Sequence, residues 1–200
     1  MSKIAKTDHP VHELVARRWS PYGYSARPVA EPDLRSLFEA ARWAPSSYNE
    51  QPWRYILASR DDPAQFERLL ECLVPANREW ARTAPVLALG VFKRSFSHDG
   101  SPNAVAMHDL GLAAGNLCLE ATARGLYVHQ MAGILPERAR ELFGIPDDFQ
   151  PITGIAIGYA ADLDTLPEKL RRRDTTPRRR KPLGELVFGP RWGETSEVVG

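Results

Sequence analysis

Cysteine is scarce, with only Cys72 and Cys118 in 200 residues, far apart and without Cys-x-x-Cys spacing. That argues against a disulfide scaffold or a cysteine metal site and leaves both as small buried hydrophobes. No stretch approaches the ~18 uninterrupted apolar residues of a membrane span. Residues Met1 to Pro10 lack the apolar core of a secretion signal. Neither charge sign dominates: 26 basic and 25 acidic residues leave a net charge of +1, which gives no global argument for nucleic acid. Gly-x-Gly-x-x-Gly, Gly-Lys-Ser/Thr, His-Glu-x-x-His and Gly-x-Ser-x-Gly are all missing. The chain thus displays no side-chain machinery for hydrolysis or phosphoryl transfer, and any catalysis would be carried by a cofactor. A soluble, cytoplasmic protein with no membrane or nucleic-acid partner is expected.

What is present is ordinary globular material, 43% hydrophobic and 26% charged, long enough for one well-packed domain over residues 1–200. Residues 1–9 are expected to be loose. Pro10 is placed to open a helix whose apolar stripe is Val11, Leu14 and Val15. A strong amphipathic helix is expected over 31–44, with Leu34, Leu37, Phe38 and Ala41 on one face, stopped by Pro45. Trp53 to Ser59 reads as a strand, and Asp62-Pro63 caps a helix carrying Phe66, Leu69, Leu70 and Leu73. A short helix follows near Pro75 to Trp80, then a continuous apolar strand from Pro85 to Phe92. Residues 103–124 form the longest helix, apolar nearly all round and so buried on several sides. His108-Asp109 within it has no companion ligands, and the histidine reads as a hydrogen-bonded interior or interface residue. Leu126 to Ile134 and Ile152 to Tyr159 read as strands, with a helix from Pro136 to Phe143 closed by Gly144 between them.

Three stretches could hold a ligand. Arg17-Arg18-Trp19-Ser20, at a helix exit, offers guanidinium forks and a hydroxyl to an anion, or simply complements the helix dipole. Pro45 to Trp53 packs Ser46, Ser47, Asn49 and Gln51 into a linker between two rigid elements, which suits a binding loop as well as plain turn chemistry. From Asp162 the composition shifts. Eight of the 26 basic residues fall between Lys169 and Lys181, and prolines at 167, 177 and 182 prevent long regular structure. A solvated basic arm is the usual fate of such a run, and a nucleic-acid contact would lack aromatic interleaving and a basic balance elsewhere.

Pro45-Ser46-Ser47-Tyr48-Asn49-Glu50-Gln51-Pro52-Trp53 resembles the Pro-Ser-Ser-x-Asn-x-Gln-Pro-Trp signature of the nitroreductase family, FMN-dependent oxidoreductases. The resemblance extends over roughly residues 10–190. It implies an α+β nitroreductase-like fold, a central mixed or antiparallel sheet flanked by helices, with 162–200 as an extended C-terminal arm. It further implies a homodimer with FMN in each of two interface clefts. Arg18 and Ser20 match the first two places of the family's Arg-x-Ser-x-Arg/Lys pattern, which grips the FMN phosphate, and Arg17 adjoins them. Tyr22 stands in the third place, where a cation would stabilise reduced flavin, so a lowered reduction potential is expected. Pro45, Ser46, Ser47, Asn49 and Gln51 would meet the flavin, Ser46 and Asn49 reaching the one held by the other subunit, and Asn77 is a weaker counterpart. Gln130, Met131, Ala132 and Gly133 would run beside the ring, with the backbone N–H of Ala132 at flavin N5. Arg178 and Arg180 fit a basic-x-basic-x-Pro pattern on the phosphate. The implied activity is ping-pong transfer of a hydride from NAD(P)H through flavin N5 to a nitroaromatic, quinone or similar small acceptor. A flavin-binding or flavin-sequestering protein without efficient turnover is the alternative.

Overall fold

The computed structural model describes residues 3–200. In chain order the helices are α1 (Glu13–Arg17), α2 (Glu31–Arg42), α3 (Pro63–Glu71), α4 (Pro75–Ala81), α5 (Ala106–Ala123), α6 (Pro136–Phe143) and α7 (Glu168–Thr175). The strands are β1 (Trp53–Ser59), β2 (Val86–Lys93), β3 (Tyr127–Met131) and β4 (Phe149–Gly158), in the order β1-β2-β4-β3. Every pairing is antiparallel, so of the two sheet types expected the antiparallel one is present. The fold is α+β, a four-stranded antiparallel sheet flanked by helices.

Both faces of the sheet are covered, which explains the unbroken apolar run of β2. Leu87 and Leu89 join Phe66, Leu69, Leu70 and Trp80 on one face, under α3 and α4. Val86 and Ala88 alternate to the other face, where Leu37, Leu110 and Leu117 of α2 and α5 lie. A strand buried on both sides has no solvent face and needs no polar alternation. β3 takes the sheet edge, with Val128 in one core and Met131 in the other.

Several element ends differ from the sequence reading. α1 starts at Glu13 rather than Pro10 because the His12 ring Nδ1 accepts the N–H of Leu14 and caps the helix there. Residues 3–5 are not loose: the N–H of Ala5 donates to the Ala16 carbonyl at 2.9 Å, and the Lys3 carbonyl accepts from Arg178. β4 begins at Phe149, three residues earlier than read. Pro151 is tolerated inside it because the β2–β4 register shifts there, opposite Val91. The arm is not wholly extended, since α7 fits between Pro167 and Pro177, with Pro167 as its cap. His108 is exposed rather than interior, whereas Asp109 is 2% exposed. Both cysteines are buried thiols. Among the described residues no helix is long and apolar enough to cross a membrane, and no cluster could hold a metal ion.

Candidate functional site

The chain leaves α1 through Arg18-Trp19-Ser20. Trp19 is buried against Tyr127 of β3, with ring centroids 5.5 Å apart, and this turns its two polar neighbours outward. Arg18 Nη1 donates to Ser20 Oγ at 3.3 Å. Both line a cleft of about 470 Å³ with Gln130, Val128 and Cys118, floored by Gly111 and Gly115 of α5. That volume lies in the range of small-molecule sites, roughly 300–1,000 Å³. Gln130 Nε2 donates to Cys118 Sγ at 3.3 Å, and burial raises the thiol's pKa above its ordinary value.

Arg178 reaches this corner from the arm. Its Nη1 donates to the Ala16 carbonyl at 2.7 Å and the Lys3 carbonyl at 2.9 Å. Burial, then the charges of Arg18 and Arg180, weaken its hold on its proton. Among the described residues neither Arg18, Arg178 nor Arg180 pairs with a carboxylate, although like charges so gathered repel. Such a cluster suits an anion with several oxygens. Arg180 Nη1 turns to the Arg179 carbonyl, and Arg17 is exposed, with no side-chain partner among the described residues.

β3 ends one residue past Gln130. Neither Ala132 nor Gly133 donates its N–H to a protein group among the described residues. A Cβ on Gly133 would lie 2.5 Å from Asn77 Nδ2 and 2.8 Å from Val74 Cγ2, so only glycine lets the chain pass so close. Asn77 Nδ2 donates to the Gly133 carbonyl at 3.0 Å, which makes Asn77 a support for this backbone. The Met131 side chain is buried in the opposite core. Tyr22 is also turned inward: its ring packs edge-on against His129 at 4.7 Å and Trp80 at 5.2 Å, under the Arg173 guanidinium. Burial holds the His129 imidazole below its ordinary pKa, and its Nδ1 lies 2.8 Å from the Pro21 carbonyl.

The Pro45–Gln51 loop does not line this cleft. It forms a separate patch beyond the start of α5, with three non-glycine residues in left-handed backbone: Tyr48, Asn49 and Gln51, at φ 51°, 54° and 51°. Such conformations cost about 1–3 kcal/mol each and persist only when surroundings enforce them. Here the carboxylate of buried Asp109 accepts the Ser47 N–H at 3.1 Å, and Ser46 Oγ accepts the Gln51 N–H at 3.0 Å. Glu50, its side chain 7% exposed, accepts the Ser97 N–H at 2.9 Å and hydroxyl at 2.6 Å. Tyr48 consequently projects, 84% exposed, against Phe96 at 5.6 Å and His98 at 5.7 Å.

Glu50 gives the loop a pH dependence. Its bonds to the Ser97 hydroxyl and N–H hold its carboxyl below the ordinary value of 4.5. A depressed folded-state pKa adds stability that is present above 4.5 and lost as pH falls through the folded value. Thermal unfolding of Glu50→Gln should therefore lie below wild type at neutral pH, with a gap that closes on acidification below about 4.5. A gap that stays constant into acid would refute the role given to the carboxylate.

Four residues in these regions carried little sequence signal: Asp174, His129, Asp109 and Glu50. The one available hint concerned Asp174, the sole carboxylate between Lys169 and Lys181.

An antiparallel sheet covered by helices on both faces, with unpaired cations gathered near its edge strand, defines an α+β protein with a candidate anion site. Comparison with known proteins gives the family. The nitroreductase family profile matches residues 15–159. A Streptomyces coelicolor protein named as a candidate NADH dehydrogenase/NAD(P)H nitroreductase is 31% identical over 159 residues, 70% of this chain and 78% of its own length. An uncharacterized 15.4 kDa protein of Mycolicibacterium smegmatis is 41% identical over 85 residues, 42% of this chain and 57% of its own length. A solved structure described as an oxidoreductase containing FMN superposes with a TM-score of 0.90 at 34% identity, covering 98% of this chain and 99% of that one. The chain belongs to the nitroreductase family.

Proposed function

We propose that the protein is an FMN-dependent oxidoreductase that passes a hydride from NAD(P)H to a nitroaromatic, quinone or similar acceptor in a ping-pong cycle. One observation carries the reading: Arg18 and Ser20 line one cleft with Gln130, Arg178 comes up to Arg18 from the far end of the sequence, and the N–H groups of Ala132 and Gly133, just past Gln130, have no protein partner among the described residues. These residues fit a planar heterocycle carrying a phosphate. The relative named for NAD(P)H and the solved structure containing FMN support the same cofactor chemistry. When bound, FMN supplies the two-electron transfer that the chain's own side chains cannot.

The chain's part is binding and orientation. Arg18, Ser20, Arg178 and Arg180 take the phosphate, with Arg17 adding long-range attraction. Gln130 and the backbone from Met131 to Gly133 line the ring edge, and the N–H of Ala132 is the donor offered to N5. Asn77 keeps that backbone in place. Because Pro45, Ser46, Ser47, Asn49 and Gln51 lie away from their own chain's cleft, they complete the cleft of a second copy in a homodimer. The open face of α5, with Gly111 and Gly115 uncrowded, is where that copy would seat. A second reading, flavin binding without efficient turnover, draws on Tyr22, which offers no cation to a reduced ring.

An absorbance spectrum of the purified protein, recorded without oxygen before and after NADH or NADPH, tests the proposal. A flavin spectrum that bleaches with either nucleotide is expected. Bound flavin that resists both would favour the second reading, and failure to bind FMN at all would overturn both.

A further inference from the structure

We propose that Asp174 is a positioning residue for the anion site: it fastens the arm along residues 16–23 and so brings Arg178 and Arg180 to Arg18 and Ser20. This rests on the phosphate role given to those residues above.

Asp174 lies on α7 and is 4% exposed. Its two carboxylate oxygens each accept one backbone N–H, from Tyr22 at 2.8 Å and from Gly23 at 3.0 Å. A buried carboxylate is costly unless every bond it makes is well placed. Burial does raise its pKa, against the pull of those two donors. Two further contacts seal the spot. The Arg173 guanidinium lies 4.7 Å from the Tyr22 ring centre. A Cβ on Gly23 would come within 2.3 Å of Leu166, so the two segments are in close contact.

Four residues beyond Asp174, Arg178 makes the second tie, to Ala16 and Lys3. The arm therefore runs opposite in direction to residues 16–23, fixed at both ends of that stretch. Four residues of chain span at most about 14 Å, so the ties stand close together. Arg18 and Ser20 fall between them in sequence. The arrangement opposes the mutual repulsion of Arg18, Arg178 and Arg180, which would otherwise drive a basic arm into solvent. Asp174 touches no ligand itself; it sets the spacing of the groups that do.

The test compares FMN with riboflavin, which shares the ring and lacks the phosphate, on full-length protein by fluorescence titration. Asp174→Asn keeps the size but replaces one acceptor with a donor facing an N–H. FMN affinity should fall about 10- to 50-fold while riboflavin affinity stays within about threefold of wild type, the range expected when a charge-assisted contact is lost. Asp174→Glu, which keeps the charge, should recover part of the preference. Equal losses for both flavins would assign Asp174 a merely structural role and overturn the proposal, as would no loss at all. Should the variants not fold, trypsin digestion of wild type decides: FMN, and not riboflavin, should protect the bonds after Arg178, Arg179 and Arg180. Equal protection would overturn the proposal. If wild type binds neither flavin, the oxidoreductase reading fails. The positioning role then stands only if inorganic phosphate protects those bonds in wild type and not in Asp174→Asn.

Discussion

Arg18→Ala should weaken FMN binding by one to two orders of magnitude and leave riboflavin binding almost unchanged. Arg18 is half-buried, oriented by Ser20 and free of any carboxylate among the described residues. Its guanidinium is thus available to a phosphate without first breaking an ion pair. A charge-assisted hydrogen bond of this kind contributes about 1.5–3 kcal/mol, which is roughly 10- to 150-fold in affinity. Arg178 is a weaker candidate for the same effect, because its Nη1 is already engaged by two carbonyls. Arg18→Lys should recover only part of the loss, since an ammonium keeps the charge but not the planar fork. Added salt should weaken wild type more than Arg18→Ala, because partly exposed charges are screened. Titration of both flavins at two ionic strengths measures all of this. Equal losses of FMN and riboflavin would show that Arg18 acts on the fold rather than on the phosphate.

Trp80→Ala should be the most destabilising single change near the site. Trp80 is 1% exposed and packs between two other rings, Tyr22 at 5.2 Å and His129 at 4.4 Å. Removing a buried indole leaves a cavity that neighbours only partly fill, at about 3–5 kcal/mol. For a chain of this length that corresponds to a fall in melting temperature of roughly 6–20 °C. The indole N–H also donates to Asn77 Oδ1 at 3.4 Å, and Asn77 in turn holds the Gly133 carbonyl. Trp80→Phe keeps most of the packing and drops that N–H, so it should cost far less stability and report mainly on the backbone at Gly133. Thermal unfolding of the flavin-free proteins separates the two contributions. A loss below about 1 kcal/mol for Trp80→Ala would contradict the packing described.

The elements most legible in the sequence are those whose boundaries are set by local chemistry. β1 spans Trp53–Ser59 as read, because Pro52 precedes it and a turn follows. α6 runs from Pro136 to Phe143 and closes at Gly144 with φ 62°, the left-handed cap that glycine supplies at low cost. Where tertiary contacts decide, the sequence was silent. α7 lies between two prolines read as breakers, and its docking depends on Asp174 meeting backbone 152 residues away. Pro151 looked like the boundary of β4 because a bulge that accommodates it exists only once β2 is alongside. At the site, the family resemblance picked out Arg18, Ser20 and Gln130, which the fold gathers along one cleft. It also assigned Ser46 and Asn49 to the cleft of a second subunit, and the Ser46–Gln51 loop lies outside the cleft of its own chain. Nothing local marks Tyr48 or Gln51 as left-handed, since that geometry is imposed from outside the loop by Asp109 and by Ser97, which holds Glu50.

The two ties of the arm also bear on how the protein is made. The anion corner joins residues near 16–23 to residues near 174–178, and the Asp174–Tyr22 bond alone spans 152 positions. At synthesis rates of about 5–20 residues per second, some 8–30 s separate the emergence of the two halves. The segment 18–20 therefore waits, cationic and without its counterpart, while the strands between are still being added. Retention of an anionic ligand at this corner would then be a late step, open only to chains that have already completed the sheet.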